Sequence, residues 1–309
     1  MNGATMNGDA AHTLGTAWAS AKVNLYLHVG PPGAGGLHPV DSLVVFADWR
    51  AADRITARRF PQVALRLEGT QAKALRREPN NLSVAAASTL REACGLHGLG
   101  AELTLYKELP VAAGIGGGSA DAAATMHVLN SLWSINFGEA ALENIARQLG
   151  ADVPACVRSR PVVMRGAGEL LEDAVCPSLE AVLVNPGVKL ETRRVFERFD
   201  KLGGRQPFAE TSPPASTDAG EFVASLARDY RNDLQPAAIS LCSEIEKVLE
   251  ALRGQKGCLM ARMSGSGPTC FGIFESAEAA DAAASAIAAR KRKYWVKATT
   301  FRGAGPGVV

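Results

Sequence analysis

Long apolar runs, paired cysteines and aromatic residues are all scarce in this chain of 309 residues. No apolar stretch approaches the roughly 20 residues that cross a bilayer, and the first residues lack the basic-then-apolar order of a secretory signal. The six scattered cysteines form no C-x-x-C pair and have no histidine at a metal-ligand spacing, which argues against a zinc or dithiol centre. We therefore predict a cytoplasmic protein with buried thiols and no membrane association.

An excess of one charge is also missing. Lys and Arg total 33 against 31 Asp and Glu, and aromatic residues make up 6% of the chain without interleaving with the basic clusters. Nucleic-acid surfaces combine concentrated basic charge with aromatic residues, so we predict no nucleic-acid partner. A chain of this length, 47% hydrophobic, often divides into two lobes. We predict a disordered extension over 1–16, a first lobe over 17–160 and a second over 161–309.

A glycine-dense segment from Pro110 to Ala123 is the most informative motif present. Its glycines are Gly114, Gly116, Gly117 and Gly118. They can adopt backbone angles closed to other residues, so that several amides converge on an anion. The segment continues into an alanine-rich helix predicted to begin at Ser119, which would cap it, with Asp121 as an acidic residue of its first turn. This pattern predicts a phosphate-binding loop; a tight loop before a core helix is the alternative.

Commoner phosphate signatures are absent. The chain has no G-x-x-x-x-G-K-[ST], no G-x-G-x-x-G within this loop, and no H-R-D with D-F-G. A second Gly/Ser turn, Ser264 to Thr269, lies between two predicted strands. A hairpin connector explains that turn alone, but two such turns in one chain favour anion binding.

Two polar positions are candidates for chemistry. Alternation from Lys22 onward predicts a half-buried strand that carries Lys22 and Asn24 on one face. Asp152 directly precedes the apolar run 153–157, which places a carboxylate at the edge of a core. A helix-capping or turn aspartate is the alternative for Asp152.

Three further patterns concern organisation. Asn81 is a predicted cap for a helix through Ala93. Apolar residues at helical spacing predict a single helix over 236–252, and residues 203–220 have the composition of a mobile insertion. Beyond residue 257, the order strand, turn, strand, helix, strand predicts a split β-α-β plan.

Three of these segments, in order and spacing, resemble the motifs of the GHMP small-molecule kinases: 21–28, 110–123 and 263–268. The resemblance covers nearly the whole chain. It implies an α+β fold with an ATP-binding N-terminal lobe like domain 2 of ribosomal protein S5, a ferredoxin-like C-terminal lobe, and an active site in the cleft between them. Residues 21–27 and 149–154 are similar to the branch that acts on 4-diphosphocytidyl-2-C-methyl-D-erythritol in non-mevalonate isoprenoid synthesis.

The resemblance implies transfer of the γ-phosphoryl group of ATP to the 2-hydroxyl of this small-molecule cytidyl substrate, by a monomer or weak homodimer. Such transfer needs in-line positioning, charge neutralisation and a group that accepts or orients the alcohol proton. Asp152 is the predicted base, and Lys22 the cation that keeps it ionised and stabilises the transferring group. An ionised carboxylate is a weak base, so Asp152 orients the hydroxyl as well.

Binding residues follow from the same resemblance. For ATP they are Asn81, Leu82, Lys107, Pro110, Gly114, Gly116, Gly117, Gly118 and Ser119. For the substrate they are Asn24, His38, Phe196, Gly265 and Ser266, with His38 and Phe196 on the cytosine base. Mg²⁺ would be bound by phosphate oxygens and water, with Ser119 as its protein contact. Asp121 is expected to be structural.

The chain departs from the branch at one position. A tyrosine commonly precedes the histidine, whereas this chain reads Gly36-Leu37-His38. Leucine cannot reproduce an aromatic stack, so either its apolar face suffices or the base is clamped differently. Two other functions stay open: another GHMP kinase, acting on mevalonate, phosphomevalonate, homoserine or a sugar, and a non-catalytic nucleotide-binding protein. Lys22 together with Asp152 argues against homoserine kinase and against a pure binder.

Overall fold

The computed structural model describes residues 14–33, 35–76, 80–204 and 210–304. Strands and helices of the first half are, in chain order, β1 (Gly15–Ser20), β2 (Lys22–Asn24), β3 (His28–Val29), β4 (Val40–Phe46), β5 (Ala52–Arg59), β6 (Ala64–Glu68), α1 (Ala72–Leu75), α2 (Leu82–Ala93), β7 (Ala101–Tyr106), α3 (Gly117–Leu132), α4 (Glu139–Ala146), α5 (Val153–Arg158), β8 (Val162–Gly166) and β9 (Leu170–Asp173).

The second half follows the same mixed pattern. Its elements are β10 (Leu179–Asn185), α6 (Thr192–Lys201), α7 (Ala219–Asp229), α8 (Gln235–Leu241), α9 (Glu244–Arg253), β11 (Cys258–Met263), β12 (Cys270–Phe274), α10 (Ala277–Arg290) and β13 (Trp295–Phe301). None of the helices within the described ranges is long and apolar enough to cross a membrane.

Two sheets build the first lobe. One has the strand order β1-β5-β7-β6, antiparallel except for the parallel pair β6 and β7. Helix α3 packs on this sheet and against α2, around a core that includes Ile55, Leu103 and Leu129. The other sheet has the order β2-β4-β8-β9, with β3 also paired to β4. It positions Lys22 and Asn24 at its edge strand.

A single antiparallel sheet, β11-β12-β10-β13, forms the second lobe, with α9 and α10 packed on it. This spatial order is the one that a split β-α-β arrangement produces. The predicted two-lobed α+β fold is confirmed.

The lobes share one continuous apolar core. Val23 and Leu43 of the first lobe belong to the same buried cluster as Leu183, Phe271 and Phe301 of the second. Because interiors are close-packed, this cluster fixes the glycine turn of the second lobe against β2.

The structure differs from two of the predicted boundaries, the one between the lobes and the one that ends the N-terminal extension. Strand β8 pairs with β4 and β9 pairs with β8, so a boundary after residue 160 would separate both from the sheet they extend. Residues 1–13 of the predicted extension lie outside the described residues, whereas Gly15 and Thr16 are paired in β1 with Ala57 and Thr56. The first strand therefore includes two residues that were predicted to belong to the disordered extension.

The predicted helix over 236–252 is wrong in one respect. It is two helices, α8 and α9, separated at Cys242, whose backbone is extended. Both helices bury apolar residues in the same core, for example Ala238 and Leu249, so the helical period continues across the break and conceals it.

The segment predicted as a mobile insertion is partly anchored. Residues 205–209 lie outside the described part, but both the backbone N–H and the hydroxyl of Thr211 donate to the buried carboxylate of Asp41. The Tyr230 hydroxyl donates to the carbonyl of Ser212. Helix α7 then begins at Ala219, capped by Asp218.

Candidate active site

A cavity of about 520 Å³ lies between the two glycine turns, β2 and the start of α2. Lys22 and Asp152 both border it, as do all nine residues predicted to bind ATP. Four of the five predicted substrate residues border it as well: Asn24, Phe196, Gly265 and Ser266. The structure thus brings together residues that are far apart in the chain.

Lys22 and Asp152 form an ion pair at the cavity wall. The Lys22 ammonium lies 3.1 Å from Oδ1 of Asp152, with the lysine side chain 7% exposed and the aspartate side chain 40% exposed. Asp152 occupies the N-cap position of α5, yet its side chain makes no capping hydrogen bond. The capping alternative therefore does not account for this carboxylate, which is left facing the cavity and a cation.

The glycine loop delivers helix α3 to the cavity. Gly116 is the N-cap, with a left-handed φ of 62°, and the helix begins at Gly117. The prediction of Ser119 as N-cap is wrong, because Gly117 and Gly118 already adopt helical angles and place Ser119 in the first turn. The first amides of a helix have no intrahelical partner, and Gly117, Gly118 and Ser119 all line the cavity, as an anion site requires. Ser119 lines the cavity, and its hydroxyl has no partner among the described residues.

Direct backbone contact holds the two glycine turns together. The Ser264 hydroxyl donates to the Gly114 carbonyl at 3.1 Å, and the Thr269 amide donates to the Ala113 carbonyl at 3.2 Å. A Cβ added to Gly114 would lie 2.7 Å from the backbone nitrogen and oxygen of Gly267. A Cβ on Gly265 would likewise lie 2.9 Å from the Gly114 carbonyl oxygen, so neither Gly114 nor Gly265 can carry a side chain at this contact.

Substituting Gly114 by Ala is expected to weaken ATP binding and lower the melting temperature. The residue has φ of 73° and its new methyl group would meet backbone, which cannot move aside as a side chain can. Strain of this kind costs about 1–3 kcal/mol. Thermal unfolding and ATP titration measure both effects. Gly98→Ala is the control, since its Cβ would meet nothing within 4 Å; equal effects of the two substitutions would contradict the account.

Lys107 lies under the start of α3 between two carboxylates. Its ammonium is 2.6 Å from Oδ2 of Asp53 and 2.6 Å from Oδ2 of Asp121, and all three side chains are almost fully buried. A Cβ on Gly117 would be 3.2 Å from this ammonium. Lys107 thus borders the cavity as predicted, but its charge is directed to the two aspartates.

Electrostatics of this triad follow from burial. Desolvation raises the pKa of Asp121, and the charge of Lys107 opposes that rise without cancelling it. Burial alone lowers the pKa of Lys107, but Asp121 and Asp53 outweigh it and the pKa is raised. The prediction of Asp121 as an acidic helix-start residue is wrong, since it is the fifth residue of α3 and its side chain turns inward to Lys107.

The predicted base-binding residues are close together but are not equivalent. Phe196 borders the cavity, whereas His38 is not among the described residues that line it. The two rings contact each other, with centroids 5.1 Å apart. His38 is held by its Nδ1, 2.8 Å from the Gly30 carbonyl, and Nε2 is 3.5 Å from Oδ1 of Asp200. Leu37 is 67% exposed, so it is available to an incoming ligand.

Sequence reasoning missed several polar residues of this region. Thr192 borders the cavity and shares a hydrogen bond of 2.9 Å with Ser266. Asp53 accepts from the amides of Glu108 and Leu109 as well as from Lys107. A signal for Asp53 exists: it shares the buried face of β5 with Ile55 and Ala57, where a charge needs a partner.

Comparison with known proteins agrees with this geometry. The family model described as GHMP kinases N terminal domain matches residues 81–160, and the one described as GHMP kinases C terminal matches residues 214–293. Together these matches cover just over half of the chain. The chain belongs to the GHMP kinase family.

Similar curated proteins are more specific about the branch. A 4-diphosphocytidyl-2-C-methyl-D-erythritol kinase of Hyphomonas neptunium is 44% identical over 94% of this chain and 97% of its own length. A protein of the same name from Cereibacter sphaeroides is 46% identical over 91% of this chain and 96% of its own length. The predicted similarity to this branch of the family is confirmed.

Solved structures repeat the pattern. A crystal structure of 4-(cytidine 5'-diphospho)-2C-methyl-D-erythritol kinase superposes with a TM-score of 0.75 and 31% identity, over 93% of this chain and all of that one. An L. major mevalonate kinase reaches a TM-score of 0.69 at 15% identity, over 96% of this chain and 98% of its own. That second likeness shows the shared fold alone.

Proposed function

We propose that this kinase transfers the γ-phosphoryl group of ATP to the 2-hydroxyl of 4-diphosphocytidyl-2-C-methyl-D-erythritol. The observation that carries the proposal is the Lys22–Asp152 ion pair facing a cavity bordered by both glycine turns. The similar proteins named for this activity, at 44–46% identity over nearly the whole chain, supply the identity of the alcohol. A non-catalytic nucleotide binder would have no use for such a pair.

The nucleotide side of the site is built from backbone. The amides at the start of α3 and the Gly114–Gly118 loop would bind the phosphates, with Asn81 and Leu82 at the base of the cavity bordering the adenosine. The Ser119 hydroxyl, which lines the cavity without a partner in the described part of the chain, would be the protein ligand of a Mg²⁺ ion held otherwise by water and phosphate oxygens. Mg²⁺ so bound would neutralise charge on the transferring group. No cluster of three metal-ligating side chains occurs in the described ranges.

On the alcohol side, two charged groups act on one hydroxyl. Asp152 orients the hydroxyl and takes its proton as the oxygen bonds to the γ-phosphorus, while the bond from that phosphorus to the β–γ bridging oxygen breaks and ADP leaves. Lys22 pairs with Asp152 in the ground state and lies beside the migrating group when charge spreads over its oxygens. The pair therefore serves both the proton and the phosphoryl group.

Recognition of the base falls to Phe196, which borders the cavity, with His38 behind it and exposed Leu37 nearby in the chain. Phe196→Ala is expected to raise KM for the cytidyl alcohol about tenfold, because an aromatic stacking contact contributes about 0.5–1.5 kcal/mol beyond buried area. Steady-state kinetics with each substrate varied in turn measure this. KM for ATP is the internal control, and an equal rise in both constants would contradict a base-specific role.

Product analysis tests the proposal itself. Phosphorus NMR of the reaction with ATP and the cytidyl alcohol should show ADP and one new phosphomonoester whose signal lacks three-bond proton–phosphorus coupling, because the tertiary 2-carbon carries no hydrogen. A phosphomonoester on a different carbon, or ADP with free phosphate alone, would refute the proposed reaction.

Cellular context is proposed on the same basis. We propose that the enzyme acts in the cytoplasm as a monomer or weak homodimer. Both catalytic groups and both glycine turns border one cavity within a single chain, so the site needs no partner subunit. Size-exclusion chromatography with light scattering over a range of concentrations checks the assembly.

A further inference from the structure

We propose that Ser42 is a positioning residue that fixes the orientation of the Asn24 amide, so that the Asn24 carbonyl oxygen accepts a hydrogen bond from a hydroxyl of the alcohol substrate. The inference deepens the proposed function and rests on it for the identity of the alcohol. Ser42 lies on β4, behind Asn24 on β2, and does not border the cavity.

A short chain of hydrogen bonds connects the cavity to the protein interior. Nδ2 of Asn24 is 2.7 Å from the Ser42 hydroxyl, and that hydroxyl is 2.5 Å from the carbonyl oxygen of Tyr26. Asn24 and Ser42 are 5% and 1% exposed. Oδ1 of Asn24 is buried and has no hydrogen-bond partner among the described residues, although Asn24 borders the cavity.

The hydrogen bonds that link Asn24, Ser42 and the Tyr26 carbonyl can run in only one direction. A carbonyl oxygen can only accept, so the single hydroxyl proton of Ser42 goes to Tyr26. The Ser42 oxygen must then accept from Asn24, which requires the NH₂ group of the amide on that side. Reversing the amide would bring two oxygens without a proton between them to 2.7 Å. The Tyr26 carbonyl thus determines, through Ser42, that an acceptor faces the cavity.

An acceptor at this position selects one kind of ligand group. Buried polar atoms are nearly always paired, so the unpartnered Oδ1 indicates a donor supplied by a ligand. Phosphate oxygens would be repelled by it, whereas a hydroxyl would donate to it. Lys22 is two residues earlier than Asn24 on the same face of β2. A side chain at position 265 would place its Cβ 3.4 Å from Oδ1 of Asn24, so Gly265 leaves the space beside that oxygen open. Asn24 therefore recognises the alcohol and leaves ATP to the glycine loop.

A matched pair of substitutions separates the hydroxyl from the volume at position 42. Ser42→Thr keeps the hydroxyl and adds a methyl group. Ser42→Val has nearly the same shape as the threonine variant but carries a methyl group in place of the hydroxyl. Kinetics should show Ser42→Val lowering kcat/KM for the alcohol about tenfold, the equivalent of one ordinary hydrogen bond, with KM for ATP unchanged. Ser42→Thr should retain most of the activity. Equal losses in the two variants, or a rise in KM for ATP, would overturn the proposal.

A double-mutant cycle tests whether Ser42 acts through Asn24. Adding Ser42→Val to Asn24→Ala should cause no further loss in kcat/KM, because the amide that Ser42 orients is already gone. Independent, additive losses would show that Ser42 acts by another route and would overturn the inference.

A readout without turnover keeps the inference separate from the proposed function. The Asn24 side-chain amide signals in a ¹⁵N spectrum should move in Ser42→Val and stay in place in Ser42→Thr. Unmoved signals in Ser42→Val would overturn the inference whatever the enzyme phosphorylates. Wild-type protein that fails to phosphorylate the cytidyl alcohol would refute the proposed function, while these signals would still decide the role of Ser42.

Discussion

Replacing Asp152 by Asn is expected to lower kcat by about 10²–10⁴-fold, the usual contribution of a positioned general base. The substitution keeps the shape of the side chain but removes the charge that Lys22 faces at 3.1 Å. The glycine loop and the start of α3 are unchanged, so KM for ATP should stay at its wild-type value. Steady-state kinetics with both substrates varied measure the two constants separately.

The matched control for this variant is Asp229→Asn. Asp229 also pairs with a cation, Arg228, but at an exposed site outside the cavity, so kcat should be unaffected. A loss of less than about tenfold in Asp152→Asn would assign Asp152 to orientation of the hydroxyl and not to proton transfer. A parallel loss of ATP affinity would contradict the separation of the two halves of the site.

Substituting Lys107 by Met is expected to lower the free energy of unfolding by about 3–5 kcal/mol, because it leaves uncompensated charge in the interior. Asp53 and Asp121 are both buried and both lie 2.6 Å from the ammonium. Urea unfolding measures the change. Lys247→Met is the control, since Lys247 pairs with Glu244 at the surface and such pairs contribute about 0–1 kcal/mol.

The pH dependence of this penalty has a definite sign. Burial already raises the pKa of Asp121 in the folded protein, and removing Lys107 takes away the charge that opposes the rise. A carboxyl whose folded pKa lies above the unfolded value of about 3.9 contributes most to stability below that value and loses its contribution as pH rises through the folded pKa. Because the folded pKa of Asp121 is already about 8 in the wild type, the further rise in Lys107→Met acts only above that value. The difference between wild type and Lys107→Met should therefore be constant below about pH 8 and grow as pH rises above it. A difference that stays constant above that pH as well would contradict the buried-charge explanation.

The local motifs could be predicted from the sequence because they are consequences of backbone geometry. Gly114, Gly116 and Gly265 adopt left-handed angles in tight contact, and only glycine satisfies both conditions. Asn81 caps α2 as predicted, because its side chain accepts a hydrogen bond from the backbone amide of Ser83. Lys22 and Asn24 share a strand face by simple alternation. Each of these depends on a few consecutive residues.

What could not be predicted depends on tertiary contact. Nothing adjacent to Lys107 in sequence reveals that Asp53 and Asp121 enclose its ammonium, since the three are brought together by β5, the end of β7 and α3. The pairing of β8 with β4 likewise cannot be predicted from the composition of either strand. The proximity of Lys22 and Asp152, 130 residues apart, was reached only through family resemblance. Long-range pairing of polar groups is therefore where the structure adds most.

The measurement that tests the central claim most directly is ATP consumption, coupled to ADP detection, with 4-diphosphocytidyl-2-C-methyl-D-erythritol beside mevalonate and homoserine. The account predicts turnover with the cytidyl alcohol alone, and its loss in Asp152→Asn. Turnover with mevalonate or homoserine but not the cytidyl alcohol would contradict the assigned substrate. Full activity of Asp152→Asn would contradict the assigned chemistry.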